Sequence, residues 1–260
     1  MKPLRKGFRL AALAGFAMLL AMTSQTVAAE TDLEIPAGER SPLAAKLILP
    51  EGSGPFATLI IAPGQGYDMD QPLTGGLAKA AARAGFASLR FDWRFYREGG
   101  AGPSEGLTTE VADLKDIISF ARSDNRLDAD RIFLAGKSLG SVITWRAASA
   151  DSQVRATYLL TPLCRQLDET GGNTLYPGLL QTGRPVVLVS GNRDPLCPLS
   201  NLYTWLGSAN DNISMLVFGG NHAMKLSAET DALSAQNEQR AIEAVVHWLS
   251  IHNRDLDSPR

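Results

Sequence analysis

The sequence predicts an α/β domain, built on a mostly parallel, twisted sheet with helices on both faces. Three observations carry that expectation. Short β-rich apolar runs alternate with stretches of helical periodicity, the signature of βαβ units. Several runs are apolar at consecutive positions, as strands buried on both faces must be. Glycine and proline close the runs, at Pro63-Gly64, Gly136, Gly191 and Gly219-Gly220.

Taken in order, the chain starts with a targeting signal. Lys2, Arg5, Lys6 and Arg9 form a basic start, Leu10 to Met22 is apolar and uncharged, and Val27-Ala28-Ala29 supplies the small residues a signal peptidase reads. The apolar stretch is short for a bilayer span. No cysteine follows it to accept a lipid. Cleavage after Ala29 would leave residues 30–260 as one domain, enough for a single large core. Removing four basic residues takes the net charge from −2 to −6. An acidic chain without a basic cluster argues against nucleic acid and anionic membrane as partners. No second long apolar segment follows. The expected location is therefore the periplasm or the exterior, with no stable membrane insertion after cleavage.

Strands are expected at Ala44–Leu49, Ala57–Ala62, Ala87–Phe91, Arg131–Leu134, Ala156–Leu160, Pro185–Ser190 and Ser214–Phe218. Helices are expected at Leu73–Ala84, Thr109–Ser123, Leu139–Ala150, Leu199–Leu206 and Ala232–Ile251. In the last, Ala241, Ala244, Val245 and Trp248 recur at helical spacing, so that helix should pack on the sheet. In open parallel sheets chemistry collects at the carboxyl ends of the strands, so the residues just after each strand are the ones to examine.

Strand Arg131–Leu134 runs into Gly136-Lys137-Ser138-Leu139-Gly140 and then a helix. This is a G-x-S-x-G elbow, whose tight turn excludes side chains on both flanks and exposes a strained serine. A glycine-bracketed turn with an ordinary serine is the bland alternative. A serine nucleophile needs a base. Of three histidines, His247 and His252 fall on or beyond the final helix, as surface or packing residues; only His222 follows a strand, in Gly219-Gly220-Asn221-His222. The base needs a carboxylate to orient it, and strand Pro185–Ser190 ends in Gly191-Asn192-Arg193-Asp194-Pro195, which makes Asp194 the acid at that strand end. Aspartate before proline is also a common turn residue. Asp92 is a rival acid, but it precedes the serine, which favours a structural role. The order Ser138, Asp194, His222 is that of the serine–acid–histidine hydrolases. Two backbone donors would form the oxyanion hole: the N–H of Leu139, next after the serine, and that of Gln65, in Pro63-Gly64-Gln65-Gly66.

Together these segments resemble an α/β-hydrolase of the dienelactone-hydrolase-like type. They are most similar to the compact hydrolases whose oxyanion loop reads His-Gly-Ala-Gly, followed by Met-Asp and a proline. Here the loop reads Pro63-Gly64-Gln65-Gly66, then Met69-Asp70 and Pro72. The similarity continues through Leu89-Arg90-Phe91-Asp92, the Ser138 elbow, Gly191 to Pro195 and His222, and covers nearly all of residues 30–260. The resemblance implies an α/β-hydrolase fold and hydrolysis of esters or related acyl groups without a cofactor. Pro63 departs from the family histidine and lacks an N–H, but leaves the donor at Gln65 untouched. Some members are non-catalytic scaffolds, so a binding protein that kept its triad is the alternative from another class. Thioester, peptide or dienelactone substrates would keep the chemistry; a dienelactone substrate is disfavoured because those enzymes carry cysteine in place of Ser138.

The segment Cys164–Arg184 is the only room for a lid, and it is short, which points to an open site for small acyl substrates. Arg94 and Arg97 could bind a substrate carboxylate or simply be solvated. Tyr67 either caps the oxyanion loop or packs, and Lys137 is expected to point away from the chemistry. Cys164 and Cys197 follow consecutive strands and could form a disulfide bracing the Asp194 loop, or remain free thiols. Few histidines and cysteines argue against a metal site.

Overall fold

The computed structural model describes residues 30–99, 102–226 and 231–256. The expected signal segment, residues 1–29, lies outside them. One sheet of eight strands organises the chain: β1 (Thr31–Ala37), β2 (Arg40–Ile48), β3 (Phe56–Ala62), β4 (Ala87–Phe91), β5 (Leu127–Lys137), β6 (Val154–Leu160), β7 (Val186–Gly191) and β8 (Ile213–Phe218), in the order β1-β2-β4-β3-β5-β6-β7-β8. From β4 across to β8 every pairing is parallel. At the other margin β1 pairs antiparallel with β2, and β2 antiparallel with β4.

Strand β1 has no counterpart among the expected strands. It contains Pro36, which cannot donate to a ladder and is confined to edge strands, and β1 is the edge. Its alternation was nevertheless present: Ile35 and Ala37 point into the core while Glu34 and Pro36 are exposed. Strand β2 starts earlier than expected, at Arg40, because Gly38, at φ 61, makes the tight return from β1.

The helices are α1 (Pro72–Arg83), α2 (Arg94–Arg97), α3 (Thr108–Ser123), α4 (Leu139–Ser149), α5 (Leu199–Leu206) and α6 (Asp231–Asp255). They cover both faces of the sheet. On one face Ile60, Leu89, Phe91, Ile132 and Leu134 pack under Ile117 and Ile118 of α3 and Ile143 and Ala147 of α4. That face continues through Leu159 and Leu188 to Val142, Trp145, Leu202 and Trp205 of α4 and α5. The opposite face carries Leu59, Ile61, Phe133, Tyr158, Val187 and Val189 beneath Leu77 and Ala81 of α1 and Ala241, Val245 and Leu249 of α6. Helices α1 and α6 meet closely at Gly76, where a Cβ would stand 2.8 Å from the Ile242 side chain. This two-sided cover aligns the carboxyl ends of β3, β5, β6, β7 and β8 along one rim. No helix among the described residues is long and apolar enough to cross a membrane.

Candidate active site

Ser138 sits between β5 and α4 with φ 54 and ψ −120, a conformation that a non-glycine residue adopts only under tertiary constraint. The constraint is visible on both sides. A Cβ on Gly136 would overlap the Gly140 carbonyl and the Thr144 hydroxyl, and a Cβ on Gly140 would overlap the Pro63 and Ala62 carbonyls. The backbone N–H of Ser138 donates to Leu160 O on β6 at 2.9 Å, which ties the elbow to its neighbour strand. Behind it, the Ser141 hydroxyl donates to Ser138 O and lies 2.7 Å from the Tyr176 hydroxyl.

The three side chains singled out by their strand ends converge here. His222 Nε2 lies 2.8 Å from Ser138 Oγ, and His222 Nδ1 lies 2.8 Å from Asp194 Oδ2. The carboxylate fixes the tautomer: Nδ1–H donates to Asp194, so Nε2 presents a lone pair to the serine hydroxyl. Asp194 is 2 % exposed, and its Oδ1 accepts the Leu196 N–H at 2.8 Å. The disulfide is formed between Cys164 and Cys197, and Cys164 N donates to Leu196 O at 2.9 Å, so the segment after Asp194 is stapled to the segment after β6.

The loop bearing His222 is held mainly by asparagines. The Asn221 Oδ1 accepts the N–H groups of Ala223 and Lys225. Asn192 Oδ1 accepts the Gly220 N–H at 3.0 Å. From α6, Asn237 Nδ2 donates to Gly219 O and Met224 O, and Ser234 Oγ accepts the Leu226 N–H. Gly220, at φ 122, makes the turn. Neither Asn237 nor Ser234 was singled out from the sequence, yet both lie on the stripe that continues to Ala241 and Val245. A polar residue on a buried helical face was the available signal.

The Pro63–Tyr67 loop, expected to carry the oxyanion donor, crosses directly above the serine. A Cβ on Gly64 would stand 3.5 Å from Ser138 Cβ and 2.9 Å from the Tyr67 ring. Gln65 follows, exposed, and Leu139 is the first residue of α4, so its N–H has no acceptor within the helix. Pro63, the departure from the family pattern, contributes its carbonyl: the buried Trp93 indole donates to it at 2.9 Å. Asp92 has no contact with His222. Its Oδ1 accepts the Met69 N–H at 2.6 Å and its Oδ2 faces Arg97, so it pins the far end of the loop that starts at Pro63, while burial pushes its carboxyl up. The two arginines differ. Arg94 is spent on Asp113 and on Ser41, whereas Arg97 is 56 % exposed beside Asp92. Of the remaining histidines, His247 is exposed and His252 Nδ1 is 2.9 Å from the buried Tyr158 hydroxyl.

One expectation about the surroundings changes. Lys137 does not point away from the site. It is fully buried, its Nζ donates to the backbone carbonyl of His222 at 3.4 Å, and it lies 4.8 Å from the centre of the Tyr67 ring. Burial pushes its ammonium down to about 8, against the opposing pull of Asp194 and Glu238. The Cys164–Arg184 segment, expected to be too short for a large cap, is packed down as part of the wall. Tyr176 is buried, its hydroxyl accepts the Leu163 N–H, and Pro177 O accepts from the Trp145 indole. Among the described residues no histidine, cysteine or carboxylate cluster could hold a metal ion.

A family model described as an alpha/beta hydrolase domain matches residues 55–250. Esterase EstD of Thermotoga maritima is 28 % identical over 134 residues, covering 49 % of this chain and 32 % of that protein, so the match spans about a third of its length. The Pyrococcus furiosus esterase Pf2001 superposes with a TM-score of 0.66 at 18 % identity, over 85 % of this chain and 92 % of that one. A serine hydrolase without a lid from Xanthomonas campestris gives 0.62 at 18 % identity, over 87 % and 94 %. At these identities the likeness to solved structures is one of fold.

Proposed function

We propose that this chain, which belongs to the alpha/beta hydrolase domain family, is a serine hydrolase exported to the periplasm or beyond, cleaving small acyl esters through Ser138, His222 and Asp194. The observation that carries the reading is the pair of 2.8 Å contacts through the two nitrogens of His222. Nucleophile–base and base–carboxylate hydrogen bonds at that distance, on a serine forced into a strained turn, are what acyl transfer requires.

In this mechanism His222 Nε2 takes the Ser138 proton as Oγ bonds to the acyl carbon. Asp194 stabilises the imidazolium. The carbonyl oxygen takes up negative charge, and the backbone N–H groups of Leu139 and Gln65 receive it. The imidazolium returns its proton to the departing alcohol as the carbon–oxygen ester bond breaks, leaving an acyl-enzyme. Water, deprotonated by the same imidazole, attacks the acyl carbon, and Oγ leaves with the proton. No metal or cofactor enters any step.

The preference for small substrates rests on the packed Cys164–Arg184 segment, which leaves no cap among the described residues to hold a long chain. The export reading rests on the basic-apolar-small pattern of residues 1–29, and the Cys164–Cys197 disulfide suits an oxidising compartment. The test is covalent labelling by a fluorophosphonate together with hydrolysis of esters of increasing acyl length. Label on the wild type that vanishes in Ser138→Ala, with rates falling by at least about a thousandfold, is the expected result. A wild type that takes no label and hydrolyses no ester would leave a binding protein on this fold, and preference for long-chain emulsions would overturn the small-acyl reading.

A further inference from the structure

Lys137 occupies the unspecified position of the G-x-S-x-G elbow, where a surface-directed side chain would be free to vary. Here it is the most buried cation beside the site, at 0 % exposure. An isolated ammonium is costly to bury, and it persists only where neighbouring groups compensate. No carboxylate among the described residues forms an ion pair with Nζ; Asp194 and Glu238 act on it at longer range. Its direct neighbours are the His222 carbonyl, which accepts its hydrogen bond, and the face of Tyr67, at cation–π distance. Those two belong to different loops. Tyr67 packs on Gly64, directly above Ser138, two residues from the proposed donor Gln65. The His222 carbonyl belongs to the residue that carries the base. One ammonium therefore touches both loops flanking the serine to which it is covalently adjacent.

We propose that Lys137 is a positioning residue, whose buried ammonium clasps the His222 carbonyl and the Tyr67 ring and so fixes the base and the oxyanion loop relative to Ser138. The proposal rests on Ser138 being the nucleophile. The groups facing the ammonium are Tyr67 from the oxyanion loop, His222 from its loop, Asp194 from the acid loop and Glu238 from α6, beside which Lys225 also acts on the Glu238 carboxyl. The ammonium loses its proton near about 8, so the cation–π half of the clasp is lost as pH rises past that point. The acylation rate should then fall.

Stability should respond with the opposite sign. A lysine whose folded pKa lies below its ordinary 10.5 opposes folding, fully below about 8 and progressively less as pH climbs toward 10.5. Removing the charge should therefore leave the melting temperature unchanged or higher. A lysine retained only for packing would lower it.

The experiment uses the full chain and two variants, Lys137→Met and Tyr67→Leu, with fluorophosphonate labelling rates across pH and kcat and KM for a short acyl ester. The wild type should lose labelling rate above about pH 8. Lys137→Met should label about tenfold more slowly at neutral pH, lack the high-pH fall, and lower kcat rather than raise KM. Tyr67→Leu keeps the lysine but removes the ring that favours its charged form, so the fall should move to lower pH. A folded Lys137→Met with the wild-type rate and profile overturns the proposal. If that variant does not fold, Tyr67→Leu decides, and an unmoved profile overturns it equally. A wild type that takes no label at any pH ends the nucleophile assignment and this inference together, whereas a labelled wild type matched by Lys137→Met ends this inference alone.

Discussion

The elbow at Ser138 and the loop at His222 reach the same point by opposite means. The elbow is shaped by side chains that are missing: Gly136 and Gly140 press backbone against backbone, where any Cβ would overlap a carbonyl. The histidine loop is shaped by side chains that are present: Asn192, Asn221, Ser234 and Asn237 each occupy one or two of its backbone groups. A steric device admits no partial failure, because an overlap is relieved only by moving the chain. A set of hydrogen bonds fails in instalments, each costing about 1 kcal/mol, or more where a buried partner is stranded. The comparison teaches that Ser138 is placed rigidly and His222 adjustably.

The largest effect should come from Gly140→Ala. The new methyl meets the carbonyls of Pro63 and Ala62, which belong to the loop above Ser138 and the end of β3, so relief would displace the roof of the site. Stability should fall by about 3 kcal/mol or more, and labelling of the remaining folded protein should drop by more than about a hundredfold. A folded, fully labelled Gly140→Ala would break the comparison at its rigid end. Asn237→Leu should come next. It keeps the volume on α6 but strands the Gly219 and Met224 carbonyls, one of them fully inside. The expected cost is about 2 kcal/mol in urea unfolding, with kcat reduced about tenfold and the protein still folded. An Asn237→Leu variant as dead as Gly140→Ala would show that the histidine loop is no more forgiving than the elbow.

The same contrast explains what could be read from the sequence. Steric devices leave a mark in composition: two glycines around a serine after an apolar run announce the elbow, and the strand-end rule then points to Asp194 and His222. Hydrogen-bonded devices leave almost none. Asn237 and Ser234 sit in a helix whose apolar members were recognised, and their own inward position is visible only by extending the stripe from Ala241 backwards. Lys137 reads as a side chain pointing away from the chemistry because nothing local says that it is enclosed by Tyr67 and by a carbonyl 85 residues away in sequence. Trp93 holding Pro63 is equally silent, since a pairing between separate strand ends has no periodicity. At the sheet margin β1 went unrecognised for a related reason: Pro36 argues against a strand unless the edge position is known, and edge position is a property of the assembled sheet.

Asn221→Ala should give the smallest effect, and it tests the adjustable end most directly. Asn221 is exposed, next to His222, and its side-chain oxygen accepts from Ala223 and Lys225, shaping the turn by local bonds. Water can replace that oxygen at an exposed position, so global stability should fall by no more than about 1 kcal/mol. The backbone bonds Asn221 N to Lys225 O and Met224 N to Asn221 O would remain, at 3.0 and 2.8 Å. What loosens is the torsion of the peptide that carries the imidazole. The expected signature is therefore a kcat lowered a few-fold, roughly threefold, with KM and the melting curve nearly unchanged, because the base spends less time aligned with Ser138 Oγ. Equal losses in stability and kcat would mean that the loop behaves as a single rigid unit, and the distinction between a rigidly held serine and an adjustable base would not survive.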